Sequence, residues 1–136
     1  MLIQTNTAQS DTGANRHLSN AKHTIANYEK CTPFPIGTIE ENATVTVIGK
    51  GLTSIQTTKP NAPLVYETLY SPKASGLVFS PQKYATDNKD KVRIWSQIAD
   101  TTTNLGAIIF YNHDKQPFIT VPLYPKNGLW YMKLNQ

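Results

Sequence analysis

Asp11-Thr12-Gly13-Ala14-Asn15-Arg16-His17-Leu18 is the stretch on which the reading of this chain turns. It follows Leu2 to Ser10, a loosely alternating segment that reads as a weak strand, and Asp11-Thr12-Gly13 ends that strand in a tight turn. A carboxylate held there, in a turn that glycine keeps narrow, projects into open space rather than into a core. The Thr12 hydroxyl can lock such a turn by hydrogen bonding. Two carboxylates of this kind within hydrogen-bond range cannot both ionise, so they share one proton. The pair can then hold a water, one carboxylate serving as base and the other as acid. Asp, Thr and Gly are also ordinary turn residues, and the tripeptide by itself reads first as a turn.

Beyond this stretch, Leu18 to Tyr28 reads as a short helix or an irregular excursion. Ser19 and Asn20 can cap it, Ala21, Ile25 and Tyr28 share a face, and Pro33 and Pro35 stop any helix. From Ile36 the pattern is β. Ile36 to Ile39 and Thr44 to Ile48 flank the polar tip Glu40-Glu41-Asn42, which predicts a hairpin. Gly49-Lys50-Gly51 predicts a bend or bulge before a strand over Leu52 to Thr57. A turn at Lys59 to Pro63 leads into a strand over Leu64 to Tyr70. Leu77-Val78-Phe79 reads as a buried triplet. Ser80 as cap with Pro81 at the first helical position predicts a short helix through about Ala85. Val92 to Ile98, Ala107 to Tyr111, Phe118 to Leu123 and Leu129 to Leu134 read as strands. Turns at Asn104 to Gly106, Asn112 to Gln116 and Pro125 to Gly128 separate them. The sum is an all-β, mostly antiparallel domain with one or two short helices, spanning 1–136.

Composition agrees. The 136 residues are 39% hydrophobic and only 16% charged, with Thr, Asn, Ser and Gln dominating the rest, which suits short strands and polar turns. The longest apolar runs, such as Ala107 to Tyr111, are far too short for a membrane span. No basic segment followed by an apolar one opens the chain, so a secretory signal is not expected. Cys31 is the only cysteine, which fits a reducing compartment. The net charge of +4 permits nucleic-acid contact without arguing for it. His17, His23, Cys31 and His113 are the only soft ligands and lack any close paired spacing, so no metal is expected. His17 reads as a residue behind the turn or at the surface. Tyr66, Tyr70, Trp95, Tyr111, Trp130 and Tyr131, at strand spacing, read as core or sheet-face residues before they read as base-stacking platforms.

The segment from Asp11 to Leu18 resembles the active-site segment of retroviral-type aspartic proteases, above all those of copia-type retrotransposons. There Asp-Ser/Thr-Gly-Ala is followed shortly by a His and an apolar residue. Further segments resemble the family in order and spacing. They are the Ile36 to Val47 hairpin, Val47-Ile48-Gly49-Lys50-Gly51, Val65 to Leu69 with Tyr70-Ser71-Pro72, Leu77-Val78 with Ser80 and Gln82, and Gly128-Leu129-Trp130-Tyr131. Two places depart from it. Ala8, Gln9 and Ser10 stand where apolar residues are usual, and Phe79 stands where a small residue usually follows the apolar pair.

The resemblance implies a small, closed, barrel-like retropepsin fold with a flap hairpin, and leaves open whether the region of about 112–136 completes the protease or is an extension towards the next polyprotein segment. It implies an aspartic endopeptidase that processes its own polyprotein, with Asp11 as the catalytic residue and Thr12, Gly13 and Ala14 shaping its loop. Gly37, Thr38, Ile39, Glu40, Glu41 and Asn42 are the flap candidates, closing over an extended peptide, and Leu77 and Val78 are candidate walls of the substrate pocket. The chain carries a single Asp-Thr-Gly, so the dyad needs a second copy, and a two-fold homodimer with Asp11 on its axis supplies it. No cofactor is implied, nucleic acid would be incidental, and the setting would be cytoplasmic, including virus-like particles. The rival reading is a catalytically inactive or domesticated β-barrel module that binds protein or RNA; Phe79 and the polar run before Asp11 favour it.

Overall fold

The computed structural model describes residues 6–37 and 44–136. Ten strands and one α-helix follow one another as β1 (Thr7–Ser10), β2 (Leu18–Ser19), β3 (Ala26–Gly37), β4 (Thr44–Ile55), β5 (Leu64–Tyr70), β6 (Val78–Phe79), α1 (Pro81–Asp87), β7 (Ile94–Asp100), β8 (Leu105–Tyr111), β9 (Pro117–Lys126) and β10 (Leu129–Lys133). They form one mixed sheet in the order β3-β4-β5-β2-β6-β1-β10-β9-β8-β7. Neighbours are antiparallel except β1 with β6 and β2 with β5, which run parallel.

The closed barrel expected from the resemblance is not found among the described residues: the sheet is open, with β3 and β7 as its edges. Closure would require those two strands to pair. β3 carries Pro33 and Pro35, and prolines two residues apart direct their donor-less nitrogens to the same side of a strand, which suits an unpaired edge. The sheet folds over without closing its ring. Ile55 bridges Leu134, Gln56 N–H donates to the Lys133 carbonyl at 2.9 Å, and the Ser10 hydroxyl reaches Gln97 Oε1 at 2.6 Å. One core fills the fold, with Ala8, Ile55, Phe79, Ile108, Phe110, Val121, Leu123 and Met132 fully buried in it. It draws on strands from β1 to β10, so the C-terminal strands pack with the strand that leads into Asp11.

Alternation explains most strands. On β4, Val47, Gly49, Gly51, Thr53 and Ile55 face inward, and Leu64, Tyr66 and Thr68 do so on β5. The Leu18 to Tyr28 region is no α-helix. It holds the short β2, one 3-10 turn at Lys22–Thr24 and the start of β3. Ser19 Oγ accepts the Ala21 N–H at 3.0 Å, so the candidate cap closes a turn instead of starting a helix. The bulge predicted at Gly49 to Gly51 lies on the opposite strand: β4 is unbroken, and the register shifts fall in β3, between Ala26 and Glu29 and between Lys30 and Phe34. The helix α1 follows the Ser-Pro signal, with Ser80 Oγ accepting the Lys83 N–H at 3.0 Å. β9 and β10 are joined by Asn127 and Gly128, both at positive φ (52° and 78°), as a two-residue hairpin turn requires.

Candidate functional site

The short strands β1, β2 and β6 build the site. β6 lies between β1 and β2, parallel to one and antiparallel to the other, so the loop 11–17 that joins β1 to β2 passes over the end of β6. Backbone bonds fix the approach: Gln9 N–H donates to the Leu77 carbonyl at 2.9 Å and Asp11 N–H to the Phe79 carbonyl at 3.0 Å. Asp11 therefore stands where strand pairing ends, half-buried, with Thr12 and Gly13 exposed beside it.

The loop closes on itself through Asp11. Its Oδ1 accepts the Gly13 N–H at 3.0 Å, and its carbonyl accepts the Ala14 N–H at 3.2 Å. The carboxylate locks the turn, in place of the exposed Thr12 hydroxyl expected to do so. Only Oδ1 is engaged in this bond, and an ionised carboxylate is an acceptor with several lone-pair sites. Ala14 ties the far side of the loop: its carbonyl accepts the Ser80 Oγ–H at 2.6 Å. Phe79 and Ser80 thus hold both ends of the Asp11 turn, an arrangement joining residues far apart in the chain, 66 positions for Ala14 and Ser80.

His17 is buried, not at the surface, with 2% of its area exposed. Its ring stacks on Phe79 (centroids 4.9 Å apart, planes at 18°) and lies 4.4 Å from the Tyr66 ring. Nδ1 accepts the Ser80 N–H at 3.0 Å. Burial pushes its pKa down to about 4, with Asp87 raising it and Lys83 lowering it as smaller influences. Burial likewise pushes the Tyr66 phenol far above its ordinary value, so both rings are neutral at pH 7. The sequence reading allowed His17 a place behind the turn and Tyr66 one in the core, but the contacts that hold them were not readable, because they come from β5 and β6, far along the chain.

The two departures from the resemblance have a structural place. Ala8 and Ser10 are buried on β1 and Gln9 is half-buried, so the small residues fit under the loop. Phe79 is fully buried against His17, Tyr66 and Tyr84, filling the space behind the loop without touching its open side. Leu77 is also a core residue at 5% exposure, whereas Val78 is half-buried and pairs with Gln9 and Leu18. The arms of the candidate flap are paired, Ile36 with Val45 and Gly37 with Thr44. Gly37 is exposed at the base of the hairpin; Thr38, Ile39, Glu40, Glu41 and Asn42 lie outside the described residues.

Other groups stand apart. Among the described residues no three His, Cys, Asp or Glu side chains gather as a metal site. His113 Nε2 is 3.0 Å from the Lys89 carbonyl, and Cys31 is half-buried on the edge strand β3. No helix among the described residues is long and apolar enough to cross a membrane. No protein-family model, curated protein or solved structure matches the chain.

Proposed function

We propose that this chain is the subunit of a homodimeric aspartic endopeptidase that cleaves extended polypeptide segments, foremost those of its own retrotransposon polyprotein. The observation that carries the reading is the Asp11 turn, a carboxylate at the end of a strand, gripped from behind by Phe79 and Ser80. Two such turns brought together on a two-fold axis form a pair that shares one proton. The ionised carboxylate takes a proton from the bound water as its oxygen attacks the scissile carbonyl carbon. The protonated carboxyl donates to the carbonyl oxygen, giving a tetrahedral diol. Return of a proton to the amide nitrogen breaks the C–N bond and releases acid and amine. The β3–β4 hairpin serves as the lid under which the peptide is held as an added strand. Nothing in the scheme calls for a metal or cofactor, and virus-like particles in the cytoplasm are the natural setting for it.

The test is cleavage of a peptide library by concentrated protein across roughly pH 4 to 7, beside D11N. Cleavage by the wild type that is lost in D11N is the expected result. Asn retains the oxygen that accepts the Gly13 N–H, so the variant keeps its fold. A folded, dimeric wild type that cuts nothing would overturn the proposal in favour of the non-catalytic binding module.

A further inference from the structure

His17 takes no part in the hydrolysis above, yet it is one of the most enclosed polar side chains among the described residues. Because Nδ1 accepts the Ser80 N–H, the proton of the neutral ring sits on Nε2. That Nε2 is buried without a hydrogen-bond partner. An unpaired buried donor is unfavourable, and an apolar side chain of similar size would avoid it. What histidine supplies that such a side chain could not is the Nδ1 acceptor. It meets the N–H of the residue that caps α1, where the helix itself provides no partner.

Ser80 is the hub of the arrangement. Its N–H goes to His17, its hydroxyl donates to the Ala14 carbonyl, and the same oxygen accepts from Lys83 N–H. We infer that His17 is a positioning residue for Asp11: as a neutral ring accepting through Nδ1, it fixes Ser80, and Ser80 fixes the turn that aims the carboxylate. The kinetic part of this inference rests on the endopeptidase reading. A proton on Nδ1 would set one donor against another at Ser80 and release the turn, so the site carries its own acid limit. The titratable group packed against the ring is Tyr66 from β5, buried and neutral, and the charges that act on it are Asp87 and Lys83 of α1, paired with each other at 2.9 Å.

The test compares H17N and H17F. Asn places an oxygen where Nδ1 accepts and cannot titrate; Phe keeps an aromatic ring and has no acceptor. H17N is expected to hold kcat within about threefold of wild type and to move the acid-side fall in activity to lower pH, leaving only the limb set by protonation of the dyad itself. H17F is expected to fold and dimerise, keep its KM, and lose about 100-fold in kcat through a misplaced carboxylate. Nitrogen-15 NMR of the wild type is expected to give the Nε2–H tautomer at pH 6, and the Ser80 and Gly13 amide signals to shift in H17F but not in H17N. An Nδ1–H tautomer, unchanged amide signals in H17F, a fully active H17F, or an H17N with the wild-type acid limb would each overturn the inference. If the wild type cuts no peptide, the endopeptidase reading falls and the NMR results still decide this one. If H17F does not fold, the tautomer and the H17N amide signals decide it.

Discussion

His17 ties the stability of the protein to pH, because it is neutral in the fold and takes up a proton when the chain unfolds. Its folded pKa of about 4 lies below the 6.5 of the free side chain, so between those values the unfolded state binds the extra proton. The sign follows: this contribution is fully present above about pH 6.5 and drains away as the pH falls towards 4. At about 1.4 kcal/mol per pKa unit, the loss amounts to about 3 kcal/mol. Urea unfolding at intervals from pH 7 to 4 measures it, and the excess slope of wild type over H17N is the part belonging to this ring. Ser80 shows what single residues disclose in advance. Its role as a helix cap follows from the Pro81 beside it, a local signal. Its bonds to Ala14 and His17 span 66 and 63 positions, and no local pattern announces them.

Strands and turns divide along the same line. β5 and α1 are readable from local signals because alternation and the Ser-Pro pair act over a few residues. β3 is not, since its prolines argue for a break, and only its place at the sheet edge makes them harmless. The glycines of β4 were readable as an irregularity but their cause was not. Tyr28 lies over Gly49, with its ring edge-on to Tyr70 at 5.6 Å, and Ile25 and the Ala26 carbonyl lie over Gly51. These glycines let β3 cross close above β4. A methyl at position 51 would meet that carbonyl at 2.7 Å, and backbone yields less readily than a side chain. G51A is therefore expected to destabilise by about 1–3 kcal/mol. G37A, with nothing among the described residues within 4 Å of the new methyl, is expected to stay within about 0.5 kcal/mol of wild type. Paired chemical-denaturation curves check both.

The molecule as a whole offers one Asp11 turn per chain, and the proposed shared-proton pair would make association a condition of activity. Specific activity is expected to fall on dilution through the dimer dissociation range, in step with sedimentation. Mixing sharpens the test. When equal amounts of wild type and D11N exchange subunits freely, the wild-type subunits are expected to show about half their normal activity, because half of them sit in dimers with a single carboxylate. A catalyst that works as a monomer would lose nothing. The open sheet has a further consequence through the pairing of β1 with β10, Thr7 beside Lys133 and Gln9 beside Tyr131. The strand that presents Asp11 leaves the ribosome more than a hundred residues before its neighbour β10. Until β10 emerges from the exit tunnel β1 lacks that partner, although Phe79 and Ser80, which grip the turn, have already been made. The order of synthesis thus completes the sheet around the strand that carries the carboxylate only once β10 has been made.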